Sequence, residues 1–417
     1  MVLSNNDGCV VARSNEAKEL GVKAGTPFFQ LKELFPGEEI IPFSSNYELY
    51  ADITGRVMSL VRKAVPSFVR YSIDEGFCDL SGMEHLDLKK WGEELSAHIW
   101  RATRMPVSIG IAPTKTLAKM ASHFAKHYKG YNHCCYIDTD EKREKALSLY
   151  DIGDVWGIGR RYSAKLESAG IKTALDFASH PSSWVRATFN NVVIMRTWRE
   201  LNSEDCIVVE DMANKKSICT SRSFPKLVAD IETLRTNVSN FAAKCAEKLR
   251  RQHSVAGVVT VFVGTNPFRE DLLQAWESGD EQLLTPGNST QEIVSAAHRV
   301  LKRLYRQGYQ YKRAGVIVTC ICSDKEVQTN FLDYDPERRE KLKRLDEVMD
   351  RINREQGSET LVLGSQQYTT LRSEDKAAIE QEQTRPKVKA GVFKDSIKHD
   401  FRSPCYTTRW SDIPEVK

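Results

Sequence analysis

Tyr71-Ser72-Ile73-Asp74-Glu75-Gly76-Phe77-Cys78-Asp79-Leu80 puts two adjacent carboxylates between two apolar strand-like segments. Val69, Tyr71 and Ile73 alternate as one strand, Phe77–Leu80 read as a second, and Asp74-Glu75-Gly76 is the tight connection between them. Adjacent carboxylates repel unless something positive sits between them. Magnesium takes oxygen ligands and commonly bridges carboxylates to substrate phosphates. Two-metal phosphoryl-transfer sites use such carboxylates to hold ions about 4 Å apart. The plainer alternative is an exposed Asp-Glu in a β-turn, where Asp is common, and on the dipeptide alone the plainer reading wins.

Outward from this turn the pattern is that of a multidomain α+β protein. Before it, Met1–Val11 reads as the remnant of a strand and turn, Ser14–Leu20 as a short helix, and Tyr47 to about Lys63 as a helix. After it come a helix near Leu88–Arg101, a strand at Val107–Ile111 and a helix from Thr116 to Tyr128. Residues 141–210 are helical in pattern, broken by glycines and Pro181. A third pattern follows: strand Ile218–Phe224, helix Ile231–Gln252, strand Gly257–Gly264, strand near Gln282–Thr285, helix Gln291–Gln307 and strand Ala314–Cys322. That β-α-β-β-α-β order is the split βαβ arrangement, with both helices on one face of a sheet. From Ser323 onward the chain is charged and weakly periodic, with one convincing helix at Pro336–Arg354 and a tail expected to be partly disordered.

Two further motifs carry chemistry. On the helix from Thr116, the side chains of Lys115, Lys119, His123 and Lys126 share one side, opposite an apolar face of Leu117, Met120, Ala121 and Phe124. A stripe of like charge costs helix stability unless it faces an anion; a solvated basic face is the bland alternative. Val155-Trp156-Gly157-Ile158-Gly159-Arg160-Arg161 has the glycine spacing of a helix-hairpin-helix. Its glycines let the turn approach a ligand, Ile158 anchors it, and the amides opening the next helix suit a DNA phosphate. Arg160, Arg161 and Lys165 beside them favour DNA over an ordinary helical hairpin. A zinc site from His123, His127, His133 and Cys134-Cys135 is disfavoured, because no second ligand pair has finger spacing.

Composition bounds the class. The 417 residues allow two to four domains, and 41% hydrophobic with 28% charged residues is ordinary for a water-soluble globular protein. No apolar run reaches the roughly 18 residues of a membrane span, so no membrane partner is expected. The polar Ser4-Asn5-Asn6-Asp7 directly after Met1-Val2-Leu3 argues against a signal peptide. Ten cysteines without a framework fit a reduced, cytoplasmic protein. The net charge of +4 says little, but Lys and Arg cluster at 115–129, 160–165, 244–251 and 302–313.

Read whole, Tyr71–Leu80 resembles the catalytic signature of the Y-family, lesion-bypass DNA polymerases, and the resemblance runs through most of the chain. Ser4–Val10 and Phe43-Ser44-Ser45-Asn46-Tyr47-Glu48-Leu49-Tyr50 are similar to segments of the UmuC branch in particular. The resemblance implies a right-hand architecture: fingers with a palm-strand remnant at 1–43, palm at 44–138, helical thumb at 139–214, split βαβ little finger at 215–323 and a tail at 324–417. It implies that Asp74 bridges two Mg²⁺ ions and Glu75 holds the catalytic one. Lys126 matches the lysine that touches the incoming deoxynucleoside triphosphate, and Lys119 is a second candidate. Asn15-Glu16-Ala17-Lys18 stands where many members have Tyr-Glu-Ala-Arg, so Lys18 serves as a point charge, with Asn15 and Arg13 as further nucleotide contacts. Gly157, Ile158, Gly159, Arg160 and Arg161 would grip primer–template DNA, and Arg222, in a segment similar to the first little-finger strand, would contact a template phosphate. Gln328, Phe331 and Leu332 sit in the place of the sliding-clamp peptide but lack its usual second-position Leu and reverse its last two residues. Ser403–Trp410 resembles the C-terminus that the branch uses with the UmuD′ dimer and RecA.

Family members also open with a strand carrying an Asp and an aromatic residue that screens out ribonucleotides. Nothing before Ser4 supplies either, and Asp7 belongs to a different matched segment. The activity of the chain as written is therefore in question, and a misplaced start at Met1, where relatives carry Val, is preferred over a truncated gene. The expected function is error-prone translesion synthesis in the SOS response. The rival is a non-catalytic DNA-binding remnant; a nuclease would leave the thumb and little finger without a use.

Overall fold

Short apolar stretches near the start of the chain are enough to seed a small sheet. In the computed structural model, which describes residues 1–4, 7–209, 214–325, 327, 329, 335–356, 360–366, 400–408 and 412–413, β1 (Val2–Leu3) lies between antiparallel β2 (Val10–Ala12) and parallel β3 (Phe43–Ser44). α1 (Asn15–Glu19) starts at Ser14, whose hydroxyl accepts from the Ala17 amide, and α2 spans Leu31–Leu34. Leu3, Val10, Ala17, Val22 and Leu31 close a small core beneath them. The chain packs as two units, one of residues 1–45 with 214–402 and one of 46–213 with 403–417.

The second unit begins with α3 (Tyr47–Ala64), whose cap Asn46 accepts from Leu49. β4 (Ser67–Arg70) and β5 (Gly76–Asp79) form an antiparallel hairpin. The first strand stops at Arg70 rather than Ile73 because the amides of Tyr71 and Ser72 both turn to the Glu75 carbonyl, each at 3.0 Å. That closes the acidic turn. α4 (Leu88–Thr103) follows, and then β6 (Ile109–Ile111), α5 (Lys115–His127) and β7 (Cys134–Tyr136), with β6 and β7 parallel. Gly110 lets α5 lie directly on β6: a Cβ there would stand 2.1 Å from the Ala118 carbonyl oxygen and 2.2 Å from the Ser122 nitrogen. Among the described residues the β4–β5 and β6–β7 pairs are separate two-stranded sheets.

α6 (Asp140–Leu149), α7 (Arg160–Ser168), α8 (Ala174–Ala178), α9 (Ser182–Phe189) and α10 (Val192–Leu201) complete this unit. Leu117, Met120 and Phe124 of α5 share one core with Leu147, Leu166, Phe177, Ile194 and Leu201. No packing break therefore falls at the expected palm–thumb boundary near 138. The basic helix is bound into the helical bundle by its own apolar face.

Residues 218–323 form the expected split βαβ module: β8 (Ile218–Val228), α11 (Ile231–Arg251), β9 (Ser254–Thr265), β10 (Trp276–Gly287), α12 (Thr290–Leu304) and β11 (Tyr311–Ser323). The sheet is antiparallel in the order β10-β9-β11-β8. Val259, Val261 and Val263 of β9 and Ala314, Val316 and Val318 of β11 are buried against both helices. β10 is far longer than the sequence pattern suggests. Its helix-side residues include Glu277 and Glu281, which pair with Arg306 and with Arg299 and Arg303, so this face carries charge beside the apolar Leu283. α13 (Pro336–Glu355) buries Leu342 and Met349. It is tied to α11 by Arg250, which donates to both oxygens of Asp350 at 2.7 Å.

Candidate functional site

The acidic turn is held from three sides within its unit. Ser72 donates to Asp74 Oδ1 at 2.7 Å, and the same hydroxyl accepts from the amides of Asp74 and Glu75. The Arg70 guanidinium spans the carbonyls of Ser72 and Ile73 at 3.0 and 2.9 Å, so the strand's last residue braces the turn it leads into. From α3, Tyr50 donates to Asp74 Oδ2 at 2.8 Å. Both oxygens of Asp74 thus accept hydroxyl hydrogens.

The electrostatics follow from these partners. Burial alone would raise the Asp74 carboxyl, but the hydroxyls of Ser72 and Tyr50, its own backbone amide and the nearby Lys126 ammonium outweigh it and hold it below the ordinary carboxylate range. Burial, with the hydrogen bond to Asp74 next, pushes the Tyr50 phenol up to about 12. Tyr50 is therefore a proton donor to Asp74 across the neutral range.

Glu75 accepts from Lys119 Nζ at 2.8 Å. That ammonium lies 5.0 Å from the Tyr71 ring centroid and 5.5 Å from the Trp156 ring, within the range of cation–π attraction. Trp156 donates from Nε1 to the Tyr71 hydroxyl at 3.2 Å and packs on Tyr71 and Phe77, both at 5.6 Å between centroids. The residue before the glycine hairpin thus rests on the acidic turn and helps orient the lysine on Glu75. The basic stripe finds its anions within its own unit: Lys115 pairs with Asp205 at 2.7 Å as Lys119 pairs with Glu75. His123 stacks near His127 and Tyr150. Lys126 is exposed beside Asp74.

In the glycine hairpin, Ile158 is 6% exposed and anchors the turn in the core. The two glycines differ. Gly157 has φ +96°, and a Cβ there would meet Thr197 Oγ1 at 2.4 Å; Gly159 caps α7 with open space around it. Arg160 and Arg161 are exposed at the start of α7. Lys165, also exposed, donates to the Thr188 carbonyl at 2.6 Å and sets its ammonium over Phe189. Its charge serves the bundle.

In the other unit, Lys18 Nζ lies 3.4 Å from Asn15 Oδ1 on the same helix. Arg13 donates to the Val22 carbonyl at 2.9 Å. The register pairs Arg222 with Ala314, placing it on the helix-bearing face with Ile218 and Phe224. Arg313, paired with Gly264, is a cation on the open face, over the Phe262 ring. Gln328, Phe331 and Leu332 lie outside the described residues.

The donor set fits a divalent cation: Asp74 and Glu75 offer hard oxygen ligands, and Glu75 already holds a cation in the Lys119 ammonium. Among the described residues no group of three or more His, Cys, Asp or Glu could hold a metal, and no helix is long and apolar enough to cross a membrane. Sequence reasoning missed Tyr50, Trp156 and Glu200. Glu200 is fully buried; its Oε2 accepts from Thr116 of α5 at 2.8 Å, and its Oε1 from Cys206 and Ile207 at 3.1 and 2.9 Å. A lone Glu in an amphipathic helix gives no signal of this.

Comparison with known proteins yields a consistent set. The impB/mucB/samB family matches residues 1–123, its C-terminal domain residues 215–331, and a domain of unknown function (DUF4113) residues 393–416. The chain is 40% identical to Protein UmuC of Salmonella typhimurium over 421 residues, covering all of this chain and 94% of that protein. It is 36% identical to Protein SamB of Salmonella typhimurium, covering 100% and 93%, and 24% identical to DNA polymerase IV of Clostridium acetobutylicum, covering 85% and 86%. A solved Y-family DNA polymerase chimera, Dbh-Dpo4(243-245)-Dbh, superposes with a TM-score of 0.59 at 21% identity, covering 76% of this chain and 91% of that one.

Proposed function

Because the chain belongs to the impB/mucB/samB family of Y-family DNA polymerases, we propose that it carries out error-prone translesion synthesis in the SOS response, as a UmuC-type catalytic subunit adding deoxynucleotides to a primer 3′-OH. The observation that carries this reading is the acidic turn: two carboxylates, one ionised and doubly hydrogen-bonded by Tyr50 and Ser72, the other paired with the Lys119 ammonium. Asp74 and Glu75 are the residues to hold two Mg²⁺ ions, which when bound activate the attacking oxygen and neutralise the triphosphate. Lys126 and Lys119 orient the triphosphate from α5. Gly159, Arg160 and Arg161 present amides and guanidiniums to a DNA phosphate, contacts that position a duplex without reading its sequence. Lys18 and Asn15 are further nucleotide contacts in this reading. The UmuD′ dimer, RecA and the sliding clamp are its partners and the cytoplasm its location.

The test is single-turnover primer extension in Mg²⁺ by the chain and by Asp74→Ala. Template-directed extension by the first, lost in the second, supports the reading. Extension by both overturns the assignment of Asp74; extension by neither overturns the polymerase reading in favour of the non-catalytic DNA-binding one.

A further inference from the structure

Residues 403–408, within the segment that the domain of unknown function matches, pack on the acidic-site unit through specific partners. Asn46 Nδ2 donates to the Ser403 carbonyl at 3.0 Å and lies 3.1 Å from the Ser403 hydroxyl. Cys405, 2% exposed, directs its thiol to Asn46 Oδ1 and Glu48 Oε2 at 3.5 and 3.7 Å, and Thr408 donates to Glu48 Oε1 at 3.3 Å. Asp412 closes the segment on itself by accepting from the Cys405 amide at 2.7 Å. In the other unit, Phe401 exchanges hydrogen bonds with Ser44, its carbonyl accepting from the Ser44 amide and its amide donating to the Ser44 hydroxyl, each at 3.0 Å. The Phe401 ring stands edge-on to Phe28 at 5.6 Å.

Ser403, Cys405 and Thr408 converge on the start of α3 within their own unit. Asn46 is its N-cap, and the Asn46 carbonyl accepts from the Tyr50 amide at 3.0 Å in the first helical hydrogen bond. Tyr50 is the residue that donates to Asp74. A helix end frays unless its first turn is held, and a hydroxyl one turn from a frayed cap has no fixed position. We propose that Ser403–Thr408, held closed by Asp412, is an intrachain strap whose function is to hold the first turn of α3, so that the Tyr50 hydroxyl stays on Asp74. The strap acts on the reaction through Asn46 and Tyr50, which are positioning residues. The inference rests on the reading of Asp74 given above only for its consequence in catalysis; the strap's hold on α3 is independent of it.

The experiment compares the full chain, a chain ending at residue 399, and full-length Cys405→Trp, whose ring has no room in the buried Cys405 position. Hydrogen exchange of the Leu49 and Tyr50 amides is expected to quicken at least about tenfold in both variants, as for a helix end that opens locally. A synthetic peptide of residues 400–417 should bind the shortened chain and restore slow exchange; the Cys405→Trp peptide should bind at least about tenfold more weakly. Where extension is measurable, kcat should fall about tenfold with little change in the nucleotide KM, a loss in the reacting arrangement and not in uniform binding. Unchanged exchange in both variants overturns the strap. So does a peptide that binds the full chain as tightly as the shortened one, because it then docks elsewhere or on a second copy. Exchange and peptide binding read the strap even if Asp74→Ala proves silent, so the two failures are separable.

Discussion

Replacing Glu200 by Ala should loosen the helix that carries Lys119 and Lys126. The carboxylate is fully buried and accepts three backbone amides, one of them Thr116 in the first turn of α5. It also lies at the positive end of that helix, and its own carbonyl accepts from the α5 cap Thr114 at 2.8 Å. Each hydrogen bond to a charged group contributes about 1.5–3 kcal/mol. Loss of all three would sum higher, but water can enter the space left by the side chain, so about 4 kcal/mol is expected, within the range for breaking a buried charged set. Glu200→Gln keeps one accepting oxygen and should cost about 2 kcal/mol. At roughly 2–4 °C per kcal/mol for a unit of this size, the Ala variant should lower the midpoint of its unit by about 8–16 °C in scanning calorimetry, with faster amide exchange in the first turn of α5. A drop under about 3 °C with unchanged exchange would refute the reasoning and make Glu200 an ordinary core residue.

The two hairpin glycines should separate by mechanism: Gly157→Ala costs about 1–3 kcal/mol of stability through its left-handed backbone and the Thr197 contact, while Gly159→Ala leaves the melting midpoint in place and weakens duplex binding regardless of sequence, measured by calorimetry and anisotropy side by side. Tyr50→Phe removes one hydroxyl from Asp74, so the Asp74 titration in carboxyl carbon NMR should move up. Because the native Asp74 lies below its ordinary 3.8, its contribution to stability is present above that value and is lost as pH falls through the lower native one; the gap between native and Tyr50→Phe stability should close in that acid window. Lys119→Ala uncovers Glu75, so Mn²⁺ should bind the isolated chain more tightly while nucleotide affinity falls, read by titration of each ligand.

The split βαβ module was legible because β9 and β11 bury one face and α11 and α12 each show an apolar stripe. The acidic turn was legible only through its neighbours: the Asp-Glu pair alone reads as an ordinary β-turn, and it is Tyr71–Leu80 taken whole that resembles a polymerase signature. β10 was legible only in part, since two of its helix-side positions are Glu277 and Glu281, whose arginine partners lie on or beside α12, and this breaks the alternation of apolar and polar residues. The lysine stripe was found, but its anions, Glu75 and Asp205, are brought to it by tertiary packing. Tyr50 and Trp156 look like any half-buried aromatics in a helix and a loop; only the fold sets one on Asp74 and the other beneath Lys119. The strap's contacts join positions about 357 residues apart, beyond the reach of any local pattern.

The central claim is that Asp74 and Glu75 together form a divalent-cation site, and Mn²⁺ titration followed by electron paramagnetic resonance tests it without waiting on catalysis. The native chain should remove Mn²⁺ from the free signal, and the Asp74→Ala/Glu75→Ala double variant should leave that signal undiminished. Equal Mn²⁺ uptake by both chains, or none by the native one, would contradict the account.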